Sequence, residues 1–172
     1  MAHLRKNLNT YPTLRDILLL DLVEVDFIEK NYNLLNKFDT VFALNVVEHI
    51  NDDSLAIQNC YKLLKPGGNL IILVPAYEAL YNRFDKELEH YRRYTQFKLN
   101  HLIKSNGFSV IHSQYFNLIG IFGWFFSGKI LRKKTIPRDQ MKLYNMLVPV
   151  FKIVDKITMQ KAGLSVISVA KK

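Results

Sequence analysis

Glu48 and His49 stand side by side, and His90 opens the segment HYRRY. These are the side chains best suited to moving a proton. Histidine titrates near neutrality without any help from its surroundings, and a carboxylate beside it can share the work. His49 is the better placed candidate base, because it closely follows an apolar run; a structural histidine would fit the same position. After His90 come Arg92, Arg93 and Tyr94. Paired guanidinium groups suit a phosphate or carboxylate on a substrate, and they equally suit ion pairs with Asp85, Glu87 or Glu89. Trp124 lies in an aromatic run, Phe116 to Phe126, which four cations follow: Lys129, Arg132, Lys133 and Lys134. Such a run is too short to span a bilayer. It could lie in a membrane interface with Trp124 at headgroup depth, or fold as a lid over the protein.

The elements that must position these groups are legible in outline. Ile17–Val23, Phe38–Leu44 and Asn69–Val74 are short apolar runs bounded by polar residues, as in buried parallel strands. Between the last two, Asn51, Asp52 and Asp53 offer capping oxygens. Leu55, Ala56, Cys60, Leu63 and Leu64 then recur with helical spacing, and Lys62 and Lys65 fall in the expected last turn. Pro66-Gly67-Gly68 stops that helix. A second helix is expected over 95–105, capped by Thr95 and ended by Asn106-Gly107, followed by strands over 108–114 and 164–170. The stretch 115–161 reads as a helical insertion between the last two strands. The fold class is α/β, and 1–172 forms one domain.

The 172 residues carry a net charge of +9, distributed unevenly. Residues 1–90 hold nine Lys/Arg against thirteen Asp/Glu, a balance of −4, and 91–172 hold fifteen against two, a balance of +13. The basic half suits an anionic surface or substrate. Nucleic acid is not expected as a partner, since no base-reading or stacking motif accompanies the charge. Cys60 is the only cysteine, which excludes an intrachain disulfide and favours a reducing, cytoplasmic setting.

Taken in order, FDTVFALNVVEHI, LLKPGG and NLIILVP resemble the second half of a class I S-adenosylmethionine-dependent methyltransferase. DKELEHYRRYT resembles a branch of that family marked by HYRRY. The resemblance implies a Rossmann-like, mostly parallel sheet with an antiparallel last strand, and S-adenosylmethionine as cofactor. It implies that Asp21 and Leu22 contact the adenine, and that Asn45 and Val46 lie beside the methionine part. A related quinone O-methyltransferase subfamily has Glu-x-x-Glu-His at this place and uses it for a metal. Here Asn45 takes the first position, and no metal is expected.

The family's Gly-rich cofactor turn is not found, for no glycine precedes Gly67. The chain therefore reads as lacking the family's first two strands, with an open apolar sheet edge that a second chain or a homodimer could cover. Poor binding of the cofactor by this chain is expected. The acceptor is expected to be small or lipid-linked, held near a membrane surface. The rival expectation is a non-catalytic remnant or subunit that acts by association.

Overall fold

The structure, a computed structural model, describes residues 20–24, 26–130 and 138–172, with the side chains of 129–130 and 138–145 left out. Its elements are α1 (Phe27–Lys30), β1 (Phe38–Leu44), α2 (Asp53–Leu63), β2 (Leu64–Pro75), α3 (Arg83–Glu87), α4 (Gln96–Ser105), β3 (Ser109–Phe116), α5 (Leu118–Trp124), α6 (Arg138–Ile157) and β4 (Ser165–Lys171). A π-helical turn, Phe125–Ile130, continues α5.

The four strands form one sheet in the order β1-β2-β4-β3. β1 and β2 are parallel, and β4 runs antiparallel to both β2 and β3. This is the mixed, Rossmann-like arrangement expected from the sequence, with helices α5 and α6 between the last two strands. On β2, Leu70, Ile72 and Val74 alternate inward with no exposure and meet Val166 and Ala170 of β4. Ile57 and Cys60 of α2 and Leu99 and Ile103 of α4 complete that core. The side chains of Phe42 and Leu44 on β1 stay 67% and 49% exposed. Among the described residues β1 pairs only with β2, so its other edge is open.

Three expectations are corrected. Of the proposed strand over 17–23, residues 17–19 lie outside the described residues and 20–23 form a loop with a turn. The turn arises because Asp21 Oδ1 accepts from the Val23 amide at 3.0 Å, a local bond that competes with strand pairing. Next, β2 begins at Leu64, directly where α2 ends, and not at Asn69. Lys-Pro-Gly-Gly bulges from the ladder, since the partner of Phe38 is Leu64 while that of Thr40 is Asn69. Gly67 takes φ +78 there, and its amide donates to the Lys172 carbonyl at 3.1 Å, tying the bulge to the chain's last residue. Lys65 thus lies beyond the helix and pairs with Asp39 at 2.7 Å.

The helix caps follow the sequence closely. Asp52 accepts from Leu55 N at 2.9 Å, and Thr95 accepts from Lys98 N at 3.2 Å.

Candidate active site

In an open α/β sheet, ligands bind beyond the carboxyl ends of the parallel strands. At that edge lies a cleft of about 290 Å³, lined by Asn45, Glu48, His49, Pro75, Leu88, His90, Arg93, Trp124, Leu164 and Ser165. Asn45 directly follows β1 and adopts a left-handed φ of 54, which turns the chain sharply out of the strand. Its amide donates to the Leu73 carbonyl at 2.8 Å, so the turn is fixed to β2. The next residues make a 3-10 turn, Val47–His49. That turn sends Val47 and Glu48 inward and leaves Val46 and His49 outward.

Glu48 is wholly buried, and neither carboxylate oxygen has a hydrogen-bond partner. Burial holds its carboxyl above the usual carboxylate range, against the pull of His90, His49 and Arg93. Burial thus shifts the balance toward the protonated form, in which a carboxyl can both donate and accept. Backbone joins the two halves of the site, the Tyr91 amide donating to the Glu48 carbonyl at 2.8 Å.

His90 is 8% exposed, and its Nδ1 sits 2.9 Å from Asp85 Oδ1. A carboxylate at that nitrogen favours the tautomer with the proton on Nδ1, in which Nε2 is an acceptor. Arg93 Nε donates to the same oxygen at 2.7 Å, and Asp85 Oδ2 accepts from the Asn82 amide at 2.9 Å. Burial alone would raise the Asp85 carboxyl; the bonds from His90 and Arg93 outweigh it and hold it below its usual range. A capping box between Asn82 and Asp85 starts α3, so a five-residue helix carries the anchor for both His90 and Arg93.

The rings of His49 and His90 meet edge to face, 4.6 Å between centroids. Glu48, His49 and His90 each offer a ligand atom, all within 4.8 Å of one another. This set could hold a divalent cation; sequence adjacency offers only Glu48 and His49 for that purpose, because His90 comes from a remote segment. Trp124 closes the other side. Its ring lies 5.1 Å from that of Phe84 and 4.7 Å from the Arg93 guanidinium carbon. Its buried Nε1 has no hydrogen-bond partner.

The cleft thus gathers Glu48, His49, His90, Arg93, Trp124 and Asn45 from the expected set. Arg92 and Tyr94 point elsewhere: both bond Asp53 Oδ2 at 2.8 Å, at the start of α2. Asp21 and Leu22 form part of the loop before α1, where the Leu22 carbonyl accepts from Asn59 Nδ2 at 2.8 Å. Leu164 and Ser165 reach the cleft from the far end of the chain, and no local spacing in the sequence signals them. Asp85 carried a signal, an acid five residues before the histidine of HYRRY.

As for the cofactor, Asn45 and Val46 lie accessible at the carboxyl end of β1, and the Asp21 carboxylate is exposed. These are the positions that the resemblance assigns to the methionine and adenine ends of S-adenosylmethionine. No glycine before Gly67 allows the close backbone approach that its middle would need.

Comparison with known proteins bears on the family and the fold. The profile of the family described as "Methyltransferase domain" matches residues 8–113. A 35-residue stretch is 57% identical to the mitochondrial ubiquinone biosynthesis O-methyltransferase of Rattus norvegicus, covering 20% of this chain and 10% of that protein. The chain therefore matches about a tenth of that relative's length. In three dimensions it is similar to a SAM-dependent methyltransferase from Archaeoglobus fulgidus, with TM-score 0.53, 17% identity, 96% of this chain and 71% of the other. It is also similar to the [4+2]-cyclase SpnF, with TM-score 0.58, 15% identity, 99% of this chain and 60% of the other. At such identities the likeness is one of fold, whereas the profile match spans more than half the sequence. The chain belongs to the methyltransferase domain family.

Proposed function

We propose that the chain supplies the acceptor side of a site for methyl transfer from S-adenosylmethionine, with a small or lipid-linked acceptor seated under Trp124. The observation that carries this reading is the convergence of Glu48, His49 and His90 at the carboxyl edge of the parallel strands. The cofactor, when bound, supplies an electrophilic methyl group on a sulfonium. Everything else falls to the protein. Asn45 and Val46 flank the methionine end, and Asp21 with Leu22 takes the adenine. Pro75, Leu88, Leu164 and Trp124 exclude water from the cleft and receive the apolar part of an acceptor. Glu48 and Trp124 Nε1, both buried and unpartnered, orient its polar atom. His49 or His90 Nε2 takes the proton the acceptor loses. Arg92 and Tyr94 serve the site indirectly, by fixing the HYRRY segment against α2.

A wall made without a Gly-rich turn holds the cofactor weakly, so the reading predicts no micromolar binding by this chain in calorimetry. Transfer of labelled methyl groups into a lipid extract is expected only at millimolar cofactor. It is expected to be lost in both His49→Ala and Glu48→Gln, or in His90→Ala if that residue is the base. Micromolar binding would overturn the weak-wall claim. Absence of transfer at any cofactor concentration would overturn the enzymatic reading. It would favour the second one, a non-catalytic subunit whose open β1 edge, with exposed Phe42 and Leu44, is covered by another chain. That the [4+2]-cyclase shares this fold shows why the reaction has to be tested at the site. The apolar cleft wall and the basic second half of the chain support an acceptor at the cytoplasmic surface of a membrane.

A further inference from the structure

Helix α6 is apolar on two sides. Its inward side is set by Asp155, 7% exposed, whose carboxylate accepts from the Asn117 and Leu118 amides at 2.6 and 2.8 Å. Val148 and Phe151 share that side at helical spacing and are half-buried. The opposite side should then be polar in a helix that merely covers a sheet. It carries Met146, Val150, Ile153 and Ile157, at steps of four, three and four residues, exposed by 69%, 53%, 60% and 73%. Met159, just past the helix, is 67% exposed. The neighbouring α5 and its π turn expose Phe122, Phe125 and Phe126 as well. An apolar surface of this kind marks an interaction face.

We infer that the outward stripe of α6 is a docking face for an anionic lipid surface, on which the helix lies in the plane of the interface. This rests on the reading that the acceptor is lipid-linked, and it adds the surface that would bring the cleft to such an acceptor. Charge selects the occupant. Lys152 and Lys156 follow one flank of the stripe and are exposed, and Lys161 is exposed just beyond. Residues 91–172 hold fifteen Lys/Arg against two Asp/Glu, and one of those two acids, Asp155, is turned inward and spent on backbone amides. A second copy pressed stripe to stripe would set cation against cation, whereas anionic headgroups would neutralise them. The geometry is that of a helix lying at an interface. Among the described residues, no helix is long and apolar enough to cross a membrane. The π turn after α5 carries further exposed aromatics next to the cleft in sequence, since Trp124, which lines the cleft, is followed at once by Phe125 and Phe126.

The test is sedimentation of the full chain with vesicles of phosphatidylcholine containing phosphatidylserine, and with phosphatidylcholine alone. Binding to the mixed vesicles is expected, with weaker binding to the neutral ones and weakening by salt. The double variant Ile153→Ser with Ile157→Ser should lower the partition coefficient roughly tenfold or more. Lys152→Glu with Lys156→Glu should abolish the preference for phosphatidylserine. All four side chains are exposed, and unchanged circular dichroism would confirm that the variants fold. No binding to the mixed vesicles, or equal binding by the Ser variant, would overturn the inference. So would a lipid-free dimer in analytical ultracentrifugation that the Ser variant dissolves. No cofactor is present in these measurements, so vesicle binding stands or falls separately from methyl transfer.

Discussion

Asp85 is fully buried and holds two side chains of the cleft at once, His90 at 2.9 Å and Arg93 at 2.7 Å. Removing its charge strands a buried guanidinium. Breaking such a pair from one side costs about 3–5 kcal/mol. Asp85→Asn should therefore lower the free energy of unfolding, read from urea titration, by that amount, and the fluorescence of Trp124, stacked on Arg93, should report the loosened cleft. Cys60 offers a second check at this scale. It is 2% exposed, and burial pushes its thiol up from 9.0 to about 12. The folded chain should resist thiol reagents at pH 8 and react only on unfolding. The folded pKa is raised, so below pH 9 both states keep the proton and stability is unaffected. Between pH 9 and 12 the unfolded thiol ionises first, and stability should fall by at most about 1.4 kcal/mol per pH unit. Cys60→Ser should remove that slope in urea titrations at pH 8 to 11. The individual candidates Glu48, His49 and His90 were legible from residue type. Their convergence was not, because it depends on the Asn45 turn and on Asp85.

At the scale of elements, sequence and structure agree where local chemistry decides the outcome. Asp52 and Thr95 cap their helices as side-chain oxygens do, and β1 keeps its expected bounds, Phe38–Leu44. They part where tertiary contacts override local signals. Pro66-Gly67-Gly68 reads as a stop after a helix, yet the chain is already in β2, because pairing with β1 and β4 extends that strand back to Leu64. Asp21 reads as the residue after a strand, and its own side chain closes a turn there. The approach of the insertion to the sheet is equally invisible in the sequence. Gly163 precedes β4, and a Cβ there would run into the backbone of Phe116. Gly163→Ala should cost about 1–3 kcal/mol by overpacking, read from thermal unfolding. An unchanged melting temperature would mean that β3 and the β4 entry are not in close contact.

Among the described residues, the molecule joins a sheet with an open β1 edge, a cleft at the carboxyl ends of the parallel strands and an exposed apolar face on a basic half of the chain. The resemblance to methyltransferases was legible because an ordered set of phrases runs from β1 to β3. What a sequence could not show is that the cleft's wall comes from both ends of that span and from β4. We propose the carboxyl edge of β1 and β2 as the cofactor and acceptor site, with a weak cofactor wall. The most direct test is a nitrogen-15 NMR titration of this chain with S-adenosylhomocysteine up to millimolar concentration. Weak, saturable shifts are expected at the amides of Asp21, Leu22, Asn45 and Val46, with those of α6 unmoved. Shifts confined to another surface, or none at millimolar ligand, would contradict it.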